Sequence, residues 1–266
     1  MKVNPLIVED NILAVEKNPM SSVSEAYRTL RTNIQFSSID KEIKSILITS
    51  AGPGEGKSTV AASLALIISQ ADKKVILIDC DMRKPDIHKK FRIENKKGLT
   101  NLLLQNLSIE ESAFKYTENL SILSSGDIPP NPSEIISSLR MRNFLNEIRN
   151  SFDYVIIDSP PLIAVSDAIV LSTMVDGCLF VVASKEANRT EVQRAKELLL
   201  NVNANIIGAV LNKVELKQKK EYSYYYKSDD LKAPCKWQRA SQGEIDMLLR
   251  ERILPMLKVL HLKRKK

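Results

Sequence analysis

The sequence predicts an α/β fold in which a mostly parallel sheet is flanked by helices on both faces, and three observations predict it. Six short runs of β-branched and other apolar residues recur along the chain, continuous rather than alternating, as in strands buried on both faces. Segments with helical spacing separate these runs, giving the alternation of strand and helix that a parallel sheet requires. With 266 residues and 44% hydrophobic content, the chain carries enough apolar material for one sizeable core.

In chain order, the first helical pattern is "SSVSEAYRTLRTNIQF" (21–36), which precedes every strand and is expected outside the sheet. Strands are expected at 44–50 ("KSILITS"), 74–79 ("KVILID"), 120–126 ("LSILSSG"), 153–158 ("DYVIID"), 177–183 ("GCLFVVA") and 205–212 ("NIIGAVLN"). Between them, helices are expected at 57–71, 133–150 and 189–202. In the last of these, Val192, Ala195 and Leu199 fall at i, i+3/i+4 spacing.

Composition removes several function classes. No apolar run reaches the roughly 20 residues that span a bilayer, and the start "MKVNPLIVEDN" lacks the layout of a secretion signal, so a cytoplasmic protein is expected. Cys80, Cys178 and Cys235 form no C-x-x-C pair and read as reduced thiols. With His88 and His261 as the two histidines, a histidine triad or multi-histidine metal site is not expected. Of the net charge of +7, +6 is carried by the stretch from Lys227 onward, so the rest is nearly neutral and nucleic acid is not the expected partner.

Chemistry must then rest on lysine, carboxylates and backbone amides. "SILITSAGPGEGKSTVAASLAL" is a strand, a glycine-rich loop and a helix start: a P-loop in its required context. Gly52, Gly54 and Gly56 let backbone N–H groups curl around phosphate, Lys57 reaches the terminal phosphates and Ser58 meets Mg²⁺; Glu55 and Thr59 complete the nucleotide-binding stretch. Ala51 stands where the first glycine of the pattern usually is. Two further strands end in carboxylates: "VILIDCDMRKP" delivers Asp79 and Asp81 with Arg83 beside them, and "YVIIDSPP" delivers Asp158. In an open parallel sheet, ligands bind at that strand end. Asn212, in "AVLNKVE", is placed to meet a nucleobase edge, although the same stretch also approximates the N-K-x-D guanine-reading sequence with Glu215 in place of Asp.

Together, "AGPGEGKST", "ILIDCDMR", "VIIDSPP", the "EAYRTLRTN" helix and the tyrosine cluster "EYSYYYK" resemble the bacterial tyrosine kinases of capsular and extracellular polysaccharide synthesis, in particular the separate cytoplasmic kinase of Gram-positive bacteria. The resemblance runs from about residue 15 to about 228 and implies a P-loop NTPase fold that uses ATP and Mg²⁺. It implies Lys57 on the phosphates, Ser58, Asp79 and Asp158 at the metal, and Asp79 and Asp81 as catalytic carboxylates with Asp79 as general base. It further implies that Glu25, Arg28 and Arg31, an E-x-x-R-x-x-R series, build a ring-shaped homo-oligomer. Tyr222, Tyr224, Tyr225 and Tyr226 would be phosphorylated in trans inside it. A separate transmembrane polysaccharide co-polymerase would activate the kinase, and phosphotyrosine phosphatases would oppose it. Residues 1–20 read as an N-terminal segment, 21–215 as the kinase domain with its oligomerisation helix, 216–228 as the tyrosine tail and 229–266 as a basic extension without a family role.

In that extension Ile245, Leu249, Ile253, Met256 and Leu260 could share one helical face, interrupted by Pro255. Two other functions share the fold or the motifs: a switch ATPase of the partition type and a catalytically weak scaffold of the export machinery. The former carries an extra lysine five positions before the P-loop lysine, where this chain has Gly52.

Overall fold

The computed structural model describes residues 13–37 and 42–214. The tyrosine cluster and the basic extension therefore lie outside the described residues. Within them, seven strands form one sheet: β1 (Ser45–Ser50), β2 (Val75–Asp79), β3 (Phe114–Thr117), β4 (Leu120–Leu123), β5 (Tyr154–Asp158), β6 (Gly177–Ala183) and β7 (Ile206–Asn212). Their spatial order is β3-β4-β2-β5-β1-β6-β7, with every neighbouring pair parallel except β3 and β4. β1, β2, β5 and β6 are buried almost throughout, which is why their sequences are continuously apolar.

Ten helices complete the described fold: α1 (Ala14–Lys17), α2 (Ser22–Gln35), α3 (Lys57–Ser69), α4 (Ile87–Phe91), α5 (Leu99–Gln105), α6 (Ile109–Ser112), α7 (Pro132–Ser137), α8 (Leu139–Ser151), α9 (Asp167–Ser172) and α10 (Arg189–Asn201). One core layer gathers α3 with Ile46, Ile48, Val75, Leu77 and Ile156 of the sheet; Val23, Tyr27 and Leu30 of α2 pack on it from outside. The opposite face buries Leu47, Ile76, Ile78, Val155 and Ile157 against Met141, Leu145 and Ile148 of α8. Eleven of the thirteen residues of α3 are buried, so this helix is a core element and not an amphipathic surface one.

The expected helix over 133–150 is two helices. Ser138 between them is extended (φ −67°, ψ 154°), and its side chain accepts the N–H of Met141. A serine that satisfies an orphan helical amide favours a new start over a continuous helix. β3 escapes sequence reading for another reason: its four residues, "FKYT", are mixed in polarity and largely exposed at the sheet edge.

Candidate active site

The P-loop lies where the β1 chain turns into α3. Gly54 and Gly56 hold φ of +76° and +91°, a left-handed backbone that glycine adopts without strain. Gly56 is the N-cap of α3 and supplies no side-chain cap. The first amides of α3, from Lys57 through Thr59, are thus left to an anion by helix geometry, and the helix dipole favours negative charge there.

Register brings the carboxylates together. Asp79 and Asp158 are direct partners at the ends of the adjacent parallel strands β2 and β5, and Asp158 also faces Ile48 of β1. Lys57 Nζ sits among them: it donates to Asp81 Oδ2 at 3.1 Å, lies 3.9 Å from Asp158 Oδ1 and is 3.3 Å from Ser58 Oγ. Asp79, Asp81 and Asp158 are all buried.

These four groups differ in how they are held. Asp79 accepts three backbone N–H groups, from Asp81 at Oδ1 and from Asp86 and Ile87 at Oδ2, each at 3.1 Å. It therefore fastens the turn that leads into α4. Burial nevertheless pushes its proton affinity well above the usual carboxylate range, and the neighbouring charge of Asp158 adds to that. Asp81 accepts Lys84 N–H at 3.0 Å through Oδ1 and holds Lys57 through Oδ2. Asp158 has no hydrogen-bond partner at either oxygen. Burial lifts its pKa to about 6, against the opposing pull of Lys57. Burial alone would lower the Lys57 ammonium, but Asp158 and Asp81 hold it above its ordinary value. Cys80, between Asp79 and Asp81 in the chain, is driven well above the normal thiol range, first by burial and then by Asp79, and is an inert thiol.

A divalent cation fits this donor set on one observation: Asp158 is a buried carboxylate whose two oxygens accept no hydrogen bond, with the Lys57 ammonium 3.9 Å from one of them. Among the described residues no three His, Cys, Asp or Glu side chains could hold a metal by themselves. Such a site suits Mg²⁺, which keeps water and phosphate oxygens among its ligands and needs few carboxylates.

The other sequence candidates are placed as follows. Asn212, at the end of β7, donates from Nδ2 to the Glu55 carbonyl at 2.9 Å. The Glu55 side chain turns inward, to the Gly52 and Ala183 amides. On α2, Arg28 pairs with Glu25 at 3.0 Å and donates to the Pro19 carbonyl at 2.7 Å. Arg31 reaches inward to the Ile67 carbonyl near the end of α3 at 3.2 Å. Tyr222, Tyr224, Tyr225 and Tyr226 lie outside the described residues.

Sequence reasoning missed the cluster around Arg83, whose Nε donates to Asp167 Oδ2 at 3.2 Å and whose Nη2 donates to Ser133 Oγ at 2.8 Å. Ser133 in turn donates to Asp167 Oδ1 at 2.6 Å. Arg83 fastens the starts of α7 and α9 to the β2 end of the site. Its partners are 50 and 84 residues distant, so no local pattern marks them.

Gly56 is the least replaceable backbone position here. A Cβ built on it would lie 2.1 Å from Asn212 Nδ2 and would hold a left-handed φ, itself a cost of about 1–2 kcal/mol for an L-residue. Gly56→Ala is expected to weaken fluorescent-ADP binding by roughly 100-fold, about 2.7 kcal/mol. Adding Asn212→Ala should recover part of the loss by removing the clash; no recovery would place the whole cost in the backbone.

Comparisons with known proteins agree with this fold. The family model described as ParA, NUBPL iron-transfer P-loop NTPase, matches residues 42–247. The tyrosine-protein kinase YwqD of Bacillus subtilis is 44% identical over 84% of this chain and 94% of its own length. The putative tyrosine-protein kinase CapB of Staphylococcus aureus is 41% identical over 85% of this chain and 97% of its own. The crystal structure of the chimerical protein CapA2B2 superposes with a TM-score of 0.73 at 42% identity, covering 76% of this chain and 89% of that one.

Proposed function

The chain belongs to the bacterial tyrosine-protein kinases, and on that premise we propose that Lys57, Asp79 and Asp81 carry the transfer of the γ-phosphoryl group of ATP to tyrosines of the chain's own C-terminal cluster. The observation that carries this reading is the register of Asp79 against Asp158, with Lys57 reaching Asp81 and Asp158 at the mouth of a P-loop.

Lys57 and the α3 amides bind the phosphate oxygens and hold the γ-phosphorus in line with the incoming phenol. The tyrosine oxygen forms a bond to the γ-phosphorus as the bond to the β,γ-bridging oxygen breaks, and ADP leaves with that electron pair. The phenolic proton passes to the Asp79 carboxylate. A phenol has a pKa near 10, about six units above an ordinary carboxylate, and the raised proton affinity of Asp79 narrows that gap. Asp81 positions Lys57. Ser58 and Asp158, with Asp79 adjoining, are the residues for Mg²⁺, which when bound supplies positive charge to the phosphate oxygens.

Beyond the transfer itself, one relative is named as a putative tyrosine-protein kinase in the cps region of Klebsiella pneumoniae, 34% identical to this chain. That supports a role in polysaccharide synthesis and export. None of the described helices is long and apolar enough to cross a membrane. A transmembrane co-polymerase is the proposed activator and the means of recruitment to the inner membrane face. Glu25, Arg28 and Arg31 are the proposed ring contacts, through which one subunit's tail meets its neighbour's site. Each phosphate adds about −1.5 to −2 of charge to the tail, and phosphatases reverse the change.

The test is phosphosite mapping by mass spectrometry with Mg-ATP and a co-expressed activator. Wild-type chain is mixed with a tagged Asp81→Asn chain as acceptor. Phosphate on Tyr222, Tyr224, Tyr225 or Tyr226 of the acceptor is expected. If those tyrosines stay bare in both chains while ATP binds, the scaffold reading replaces this one.

A further inference from the structure

The side chain of Glu55 does not face the phosphate position that its place in the P-loop suggests. It is buried at 5% exposure, and its two carboxylate oxygens accept from two backbone amides: Oε1 from Gly52 at 2.6 Å and Oε2 from Ala183 at 3.0 Å. Its own carbonyl accepts from Asn212 Nδ2 at 2.9 Å. Ala183 and Asn212 are register partners at the ends of β6 and β7, and Ser184 N–H closes the circuit by donating to the Asn212 carbonyl at 2.8 Å. One residue thus ties the entry of the loop to the ends of two strands that lie 128 and 157 positions further along the chain.

A carboxylate is an expensive device for this purpose. Among the described residues Glu55 has no ion pair, and its acidic side chain lies buried behind a loop that must attract phosphate. Burial of such a group is sustained only by donors aimed at it. Those donors are backbone amides of fixed position, so the carboxylate fixes the loop in return. Gly56, next in sequence, packs so close to Asn212 that no side chain fits between them. The loop is held at its first glycine through the Glu55 carboxylate and at its last two residues through Asn212.

We propose that Glu55 is a positioning residue for the nucleotide site: its carboxylate latches the P-loop to the ends of β6 and β7, and Asn212 is the second half of the latch. The proposal rests on the P-loop as the nucleotide site but not on tyrosine as the acceptor. It also gives the loop a dependence on the end of β7, because the chain passes from Asn212 to the tyrosine-bearing segment within ten residues.

The test is titration of fluorescent ADP with Mg²⁺ into the full chain and its Glu55→Gln, Asn212→Ala and double variants, beside thermal melts. Glutamine keeps the shape but turns an NH₂ group toward one of the two amides. Glu55→Gln is expected to weaken binding about tenfold, Asn212→Ala by less, and the double variant by less than the product of the two, since both act on one latch. In turnover, KM for ATP should rise about tenfold while kcat moves less than about threefold, the pattern of lost ground-state and transition-state binding alike. Wild-type affinity in Glu55→Gln, a fall in kcat at unchanged KM, or effects that multiply independently would each overturn the proposal. Should Glu55→Gln fail to fold, Glu55→Asp serves: the charge remains but spans only one amide, and intermediate affinity is expected, with wild-type affinity counting against the latch. A kinase reading that failed would show as bare tyrosines with the ADP titrations unchanged.

Discussion

Lys57→Ala is expected to reduce tyrosine phosphorylation by about 10³-fold, the scale of removing a preorganised charge from a phosphoryl-transfer site. The ammonium is 3.1 Å from Asp81 and 3.9 Å from Asp158 and is the one cation paired with these two buried carboxylates among the described ion pairs. Breaking a buried pair ordinarily costs about 3–5 kcal/mol. Here the cost is limited because Asp158 already titrates near 6 and Asp79 is held well above the usual range. Without Lys57 the folded-state pKa of Asp158 rises further above its unfolded value. A group raised in this way adds stability at low pH and loses it as pH climbs through the folded pKa. The variant's loss of melting temperature should therefore be large at pH 8 and shrink markedly by about pH 5.5. Phosphotyrosine detection and melts at the two pH values check both halves; an equal loss at both would contradict the electrostatic account.

Asp158→Asn should act in opposite directions on activity and stability. Transfer is expected to fall by about 100-fold or more, since the carboxylate best placed for Mg²⁺ is gone. The folded protein, however, is expected to become more stable. Asp158 ionises near 6 when folded and near 3.8 in its reference state, so above pH 6 the wild-type fold carries a penalty of about 3 kcal/mol that a neutral amide avoids. In a domain of this size that is several degrees of melting temperature. The advantage should decline as pH falls from 6 toward 4, where the wild-type carboxyl is protonated in both states. His88, whose pKa burial lowers, contributes equally to both proteins and cancels in the difference. Nucleotide-free melts from pH 4.5 to 8 measure this; a variant less stable than wild type at pH 8 would show that the attraction to Lys57 outweighs the burial penalty.

Much of the fold was legible because burial on both faces writes itself into composition. All six expected strands occur, and the boundaries of β1, β2, β5, β6 and β7 fall within one residue of the expected ones. β4 stops at Leu123, where Ser124 and Ser125 leave the ladder to meet α5 through their carbonyls. The elements that went unread are short or polar: β3 at the edge, and α1, α4, α5, α6 and α9, none longer than seven residues. At the site, the identities of Lys57, Asp79, Asp81 and Asp158 follow from motifs that end strands or open a helix. What motifs could not carry is direction. That Asp79 is gripped by three amides while Asp158 is gripped by none, that Glu55 faces inward and that Arg83 meets Asp167 all depend on residues far apart in the chain.

The burial of α3 has a mechanical consequence. Thirteen residues make a rod of about 20 Å whose first turn opens at the phosphate position. Its far end is gripped by Arg31 of α2 at the Ile67 carbonyl, and its flanks are clamped between sheet and α2. A packed helix resists bending and compression far more than a loop does. The Arg31 contact and the phosphate-facing first turn thus sit near opposite ends of one packed helix, fixed relative to each other by its backbone hydrogen bonds.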